Sequence, residues 1–373
     1  MARLDQICSL NMGQSPDSSS YNENGEGMPF FQGNADFGKV HPRVRVWCSA
    51  PTKVAHTGDV LISVRAPIGA LNIADRECCI GRGLAALTVN EELCNKDYLW
   101  YAIASKVEEL NSKGTGSTFK AISKSVLAET EIPLPTLGEQ QGVARQLEKV
   151  DELITLRKEQ LSKLDELVKS RFIELFGDQE TNPYNLNVGK LSDVSEIYLG
   201  LTHTPTYVEQ GRPFLSVRDI SSGVIDFSNC HYVTEEEFGS LPNGARPKVG
   251  DMLFCRVGTI GKPVIIPENT PEFGTFVSVG YLRKKENVNN YYLKSWMEND
   301  CFMRQVYDNV AGASQINLNT GWLKNFRILI PSLELQEQFA AFVEQTDKSK
   351  LAIQQSLEKL ETLKKALMQK YFG

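Results

Sequence analysis

The sequence predicts an α/β (α+β) protein with two tandem globular bodies, each followed by one long helix. The two helices are expected to pair as an antiparallel coiled coil with pseudo-two-fold symmetry. Three observations predict this. The chain repeats itself, each repeat ends in a long amphipathic stretch without proline, and each body alternates β-rich runs with helical ones. The implied boundaries are body 1 at 1–137, helix 1 at 138–177, body 2 at 178–333 and helix 2 at 334–373.

The repeat is in register over its helical end. An offset of 196 carries Ile132 onto Ile328, Pro135 onto Pro331, Gln140 onto Gln336, Asp151 onto Asp347 and Phe176-Gly177 onto Phe372-Gly373. Upstream the offset slips to 192, where Gly58-Asp59-Val60-Leu61 meets Gly250-Asp251-Met252-Leu253, and then to 187, where Gly13 meets Gly200. The helical ends are alike and the bodies share only short landmarks. That pattern suggests one role performed twice on two different targets.

Residues 139–176 read as one helix. Val143, Leu147, Val150, Ile154, Leu161, Leu164 and Val168 follow steps of three and four, with Arg157 filling the gap. Phe339, Val343, Ile353, Leu357, Leu360 and Leu367 hold the same register in the second copy, interrupted by Thr346, Lys350 and Lys364. Gly177 and Gly373 stand where a helix stops. An apolar stripe needs a partner. The stripes either pack on their own bodies or on each other, and mutual pairing is the expected arrangement. A helix of this length spans roughly 57 Å at about 1.5 Å per residue, against roughly 34–36 Å for one turn of duplex DNA.

Within the bodies, Val60-Leu61-Ile62-Ser63-Val64 and Met252-Leu253-Phe254-Cys255 read as core strands, and Asn95–Asn111 and Asn290–Tyr307 as helices. Glycine-marked turns at 113–118 and 310–315 occupy equivalent places. Their small hydroxyl and amide side chains suit phosphate and base-edge hydrogen bonds. The candidate DNA-contacting residues are Lys39, His41, Arg43, Arg45, Arg65, Arg82, Thr118 and Lys120 in body 1. In body 2 they are His203, Thr204, Arg212, Arg218, Arg256, Lys262, Ser314, Gln315 and Asn317. Arginine reads guanine with two hydrogen bonds, whereas lysine mainly neutralises phosphate.

Composition sets limits on these readings. The net charge is −6; residues 1–137 carry 13 basic and 15 acidic side chains, and residues 180–333 carry 14 and 16. Neither body is basic overall, so DNA binding requires cations clustered on one face or phosphate contacts from a partner. Eight scattered cysteines without a CxxC pair read as reduced, mostly buried thiols. The start Met1-Ala2-Arg3-Leu4-Asp5 lacks a signal-type apolar stretch and no apolar run approaches a membrane span, so a cytoplasmic protein is expected. Gly258-Thr259-Ile260-Gly261-Lys262-Pro263 lacks the spacing of a phosphate-binding loop. The four histidines lack metal-ligand spacing, and no nucleophile–base set stands out.

Several of these stretches resemble landmarks of one family. They are 58–69 (Gly-Asp-Val-Leu-Ile-Ser-Val-Arg-Ala-Pro-Ile-Gly), Ile80-Gly81-Arg82-Gly83-Leu84-Ala85-Ala86-Leu87 and 250–261 (Gly-Asp-Met-Leu-Phe-Cys-Arg-Val-Gly-Thr-Ile-Gly). They are similar to target-recognition-domain motifs of type I restriction-modification specificity subunits. The Ile-Pro-Leu-Pro strand, the Gln140-Gln141 or Gln336-Glu337-Gln338 run and the long helix resemble that family's spacers. The resemblance implies that each body recognises one half of a split double-stranded DNA site. It implies that the helices space the halves and dock two methyltransferase subunits, with restriction/translocase subunits joining the complex. This chain would hold no catalytic group, metal or cofactor; S-adenosylmethionine, ATP and magnesium would belong to its partners. Two alternatives stand beside it: a self-contained DNA-modifying enzyme and a structural coiled-coil adaptor that binds proteins.

Overall fold

The computed structural model describes residues 1–116, 120–310 and 316–373. They form two compact units, Met1–Lys158 with Gln355–Gly373 and Glu159–Gln354. Each unit therefore contains one body and half of each long helix.

In the first unit, Ala2–Arg3 pairs antiparallel with Glu131–Ile132, tying the two ends of body 1 together below the helix start. An antiparallel sheet follows the order Cys8–Met12, Leu84–Val89, Val60–Ser63, Leu71–Ile73. A five-stranded sheet follows the order Tyr21–Asn22, Val46–Cys48, Met28–Phe31, Cys78–Ile80, Val54–Ala55, and one of its pairs is parallel. The second unit repeats the plan. Asn187–Lys190 pairs with Arg327–Ile330, a four-stranded sheet runs Ser195–Leu199, Val279–Lys284, Met252–Cys255, Val264–Ile265, and the remaining sheet has three strands. The strand expected at 60–64 spans Val60–Ser63, that expected at 252–255 spans Met252–Cys255, and both are buried at every position.

The repeated landmarks have physical causes. Gly58 and Gly250 adopt φ of +91° and +83°, the left-handed region that favours glycine. The aspartate that follows each one closes the turn. Asp59 accepts from the His56 amide at 2.8 Å, and Asp251 accepts from the Lys248 amide at 2.8 Å. A Cβ on Gly13 would lie 2.2 Å from the Gly81 carbonyl oxygen, and one on Gly200 would lie 2.3 Å from that of Phe276. Both glycines are where the two sheets of a body cross at backbone contact.

The body helices differ from the sequence expectation. The run expected as one helix from Asn95 to Asn111 is two, Lys96–Ser105 and Val107–Ser112, joined at Lys106. The run Asn290–Tyr307 is likewise Asn290–Met297 and Asp300–Asn309. There the Asn299 side chain accepts from the Cys301 amide and caps a new helix; an asparagine offers the backbone that alternative to continuing a helical ladder.

The long helices span Leu137–Phe176 and Leu333–Phe372. The first starts two positions before the stripe suggests because Thr136 and Glu139 form a reciprocal cap: Glu139 accepts from the Thr136 amide at 2.9 Å, and the Thr136 hydroxyl accepts from the Glu139 amide at 3.4 Å. In the first unit Gln146 meets Tyr371, Asp151 meets Lys364 and Lys158 meets Glu361. In the second Asp165 meets Lys350. Residue numbers rise along one helix as they fall along the other, so the pairing is antiparallel. Lys350 and Lys364, polar interruptions of the stripe, carry two of these ion pairs at 2.6 Å. Partly exposed pairs of this kind add little stability; their effect is to fix register.

Both expected partners of the stripe are present. Val143, Leu147, Val150, Ile154, Val168, Phe339, Val343 and Leu357 are buried; Leu161, Leu164, Ile353, Leu360 and Leu367 are half-buried. Val143 and Leu147 enter the core of body 1 together with Phe372, whose ring lies 5.2 Å from Tyr98. Val168, Phe172 and Phe176 enter the core of body 2 beside Phe339 and Val343, with Phe176 4.7 Å from Tyr292.

A fully buried glutamine locks each helix to its body. Gln140 accepts from the Asn95 amide at 2.8 Å and donates to the Leu93 and Pro135 carbonyls at 3.1 and 2.8 Å. Gln336 accepts from the Asn289 amide at 2.8 Å and donates to Asn287 and Pro331 at 3.3 and 2.9 Å. Losing all three bonds strands buried polar groups. Gln140→Leu or Gln336→Leu should therefore each destabilise its unit by about 2–4 kcal/mol. Calorimetry of the full chain should show a lowered midpoint, and the same change at exposed Gln354 should leave the midpoint in place. All eight cysteines are free and buried. Burial pushes the Cys8 and Cys78 thiols up to about 12, so little reactive thiolate forms. The native chain should resist iodoacetamide at mildly alkaline pH and label at every cysteine once denatured, as mass spectrometry would read.

Candidate nucleic-acid interface

Backbone hydrogen bonds bring the body 1 candidates onto one strip. The Val64 amide donates to the Gly83 carbonyl at 2.9 Å, setting Arg65 beside the Gly81-Arg82-Gly83 turn. Arg65 forms a bridge with Ala121, and the Ala66 amide donates to the Lys120 carbonyl at 3.0 Å. On its other side the turn meets Ser15, whose hydroxyl accepts from the Arg82 amide, and Gln32, whose carbonyl accepts from the Gly83 amide. Beyond lies an open cleft of about 650 Å³ bordered by Ser15, Tyr21, Phe30, Gln32, Asp36 and Arg82. Tyr21 and Phe30 stack in it at 4.7 Å. The Arg43 amide donates to the Asp36 carbonyl at 2.8 Å, which adds the 39–45 loop at the far end.

The side chains along the strip are not equivalent. Arg45 pairs with Asp36 and donates to the Ala35 carbonyl. The His41 ring lies 2.9 Å from the Ile73 carbonyl oxygen. Lys39, Arg43, Arg65, Arg82 and Lys120 are exposed.

Body 2 uses the same backbone scheme. The Arg256 amide donates to the Ser278 carbonyl at 2.9 Å, as Val64 does to Gly83, and Val257 bridges Asn317, as Arg65 bridges Ala121. Its arginines are engaged by acceptors of the same body. Arg256 donates to the Leu318 and Val277 carbonyls at 2.9 and 3.0 Å and to Asn317 Oδ1 at 3.2 Å, and burial draws its pKa down from the usual guanidinium range. Arg218 holds Asp219 and the Asn229 carbonyl. Arg212 pairs with Glu235 and Glu272 and lies over the Phe238 ring at 5.4 Å. Three sequence candidates in body 2 are thus already paired with acceptors of the protein itself. His203, Thr204, Lys262 and Asn317 are exposed. Thr118, Ser314 and Gln315 lie outside the described residues.

Sequence reasoning did not single out Ser15, Gln32 and the stacked Tyr21–Phe30 pair that border this cleft. The available signal was the Gly81-Arg82-Gly83 turn. A Cβ on Gly83 would lie 2.5 Å from the Gln32 carbonyl oxygen, so the turn needs glycine to press against that segment.

Comparison with known proteins agrees with this plan. The family described as the type I restriction modification DNA specificity domain matches residues 1–166 and again 184–364. A putative type I restriction enzyme MjaX specificity subunit from Methanocaldococcus jannaschii is 42% identical over 158 residues, covering 42% of this chain and 37% of that protein. The chain thus spans under two-fifths of that relative. The type I restriction enzyme EcoBI specificity subunit of Escherichia coli is 20% identical, covering 99% of this chain and 84% of that one. The type I restriction-modification S subunit from M. genitalium shares the fold, with a TM-score of 0.60 at 17% identity over 100% of this chain and 95% of that one. The family match covers both copies of the repeat, and the chain belongs to the type I restriction-modification DNA specificity family.

Proposed function

We propose that this chain is the DNA sequence-specificity subunit of a type I restriction-modification complex. Each body reads one half of a bipartite double-stranded site, and the paired helices set the gap and dock the methyltransferase subunits. The observation that carries this reading is duplication with divergence. Two bodies share the strand order of their four-stranded sheets, glycine contacts and a buried glutamine anchor, yet present edges of different chemistry along the same backbone scheme. A scaffold that holds its core constant and varies one edge suits a recognition role.

Chemistry then falls to partners: two methyltransferase subunits with S-adenosylmethionine, and restriction/translocase subunits with ATP and magnesium. Among the described residues, no group of three His, Cys, Asp or Glu side chains sits together as a metal site. No described helix is long and apolar enough to cross a membrane. This reading places the complex in the cytoplasm.

Co-expression with a methyltransferase subunit, followed by mapping of adenine methylation, tests the reading. Exchanging residues 1–137 for another body should change one half-site and leave the other intact. Removing one heptad from each long helix, about 10 Å of rise, should shorten the accepted gap between halves while keeping both half-sites. An adaptor would leave the methylated sequence unchanged in both variants, and methylation by the purified chain alone would indicate a self-contained enzyme.

A further inference from the structure

The two strips differ in one chemical respect that bears on what each body selects. Body 1 has six arginines, of which Arg3, Arg45 and Arg76 are engaged by Asp5, Asp36 and Asp75. Among the described residues, no hydrogen bond or ion pair engages the guanidinium groups of Arg43, Arg65 and Arg82. Body 2 has seven arginines, and every one is held by an acceptor of its own body. Besides Arg212, Arg218 and Arg256, Arg246 donates to the Gly239 and Leu241 carbonyls and Arg283 pairs with Asp251. Arg304 pairs with Glu180, and Arg327 donates to the Gln179 carbonyl.

The contrast is sharpest at equivalent positions. Gly58-Asp59 and Gly250-Asp251 set Arg65 opposite Val257. The matched bonds from Val64 to Gly83 and from Arg256 to Ser278 set Arg82 opposite Val277. A matched backbone hydrogen bond holds the chain at both places, and only body 1 carries a cation at these two positions.

We propose that Arg65 and Arg82 are specificity-determining residues that read guanine in the half-site of body 1, and that body 2 reads its half-site without arginine at the two matching positions. This rests on the DNA-reading function proposed above. Three features support it. Both side chains are exposed on a long free stem, so they reach outward without first breaking an internal bond. Their bases are fixed: Arg65 by the bridge to Ala121, and Arg82 between two glycines pressed on Gln32, where a Cβ on Gly81 or Gly83 would come within 2.8 or 2.5 Å of it. A held base with a free tip limits the ordering cost of binding. The free guanidinium fork itself matches the two acceptors that guanine offers in the major groove.

The test uses the full chain assembled with its methyltransferase subunit and duplexes in which each half-site is randomised in turn. The unaltered complex should require guanine in the half-site that follows residues 1–137 on body exchange. Arg65→Lys and Arg82→Lys keep charge for a phosphate but lose the fork. Each should relax discrimination at one guanine position by about tenfold to a hundredfold and leave the body 2 half-site unchanged. Two results overturn the proposal while sparing the DNA-reading function: unaltered base preference with uniformly weaker, more salt-sensitive binding, or a body 1 half-site lacking guanine. Methylation without sequence dependence in the unaltered complex overturns both. Far-ultraviolet circular dichroism of each variant confirms that the exposed substitutions leave the fold intact.

Discussion

The structure depends on a core that neither body completes alone. Body 1 closes around Phe372, the last aromatic of the second long helix, and body 2 closes around Phe172 and Phe176, the last aromatics of the first. Each helix therefore begins on one body and ends as core of the other. Fully burying a phenylalanine contributes roughly 1.5–3 kcal/mol, so the helix ends are held by the strongest contacts available to them. The ion pairs between the helices are weak by comparison. They decide which of several sliding registers the apolar stripe adopts, and Lys350 and Lys364 cost the stripe some apolar area to do so.

That closure explains why the repeat is preserved unevenly. Gln140 and Gln336 each satisfy three backbone groups, and a change at either leaves them bare in the interior. Gly13 and Gly200 sit against carbonyl oxygens where any side chain clashes. Gly58-Asp59 and Gly250-Asp251 make the same turn before the same core strand. Side chains on the outer strip meet no such constraint. Arg65 and Val257 stand on equivalent backbone, and neither choice disturbs the strand beneath. The bodies are free to differ only where they face outward.

This division also explains what the sequence made legible. The duplication, the long helices and the core strands were readable because each rests on short-range patterns: steps of three and four, Gly-Asp turns, prolines closing strands. The breaks at Lys106 and Asn299 were hidden, because both stretches keep a helical apolar pattern across the break and the cap at Asn299 competes locally with it. The free or engaged state of each arginine was also hidden. Arg256 is held by Leu318, 62 positions away, and by Val277, 21 positions away. No window of sequence around Arg256 contains those acceptors, whereas the pairing of Arg76 with its neighbour Asp75 was open to inspection.

The same distribution of cations bears on how a chain of net charge −6 would select DNA under the proposed function. Non-specific affinity scales with the number of phosphates neutralised, through counterion release. Neither body carries a surplus of positive charge, and in body 2 the arginines are already engaged by the protein's own acceptors. Drawing one out to a phosphate would first break a bond that it makes within the protein. On that proposal a chain arranged this way would discriminate more than it binds: its few free groups sit on fixed backbone, where a wrong base would leave them unpaired. On the proposed function, the bulk attraction to the duplex would fall to subunits docked beside it. Under that proposed division of labour the recognition edges could change without altering how tightly the whole complex holds DNA, because the groups that select and the groups that attract would lie on different chains.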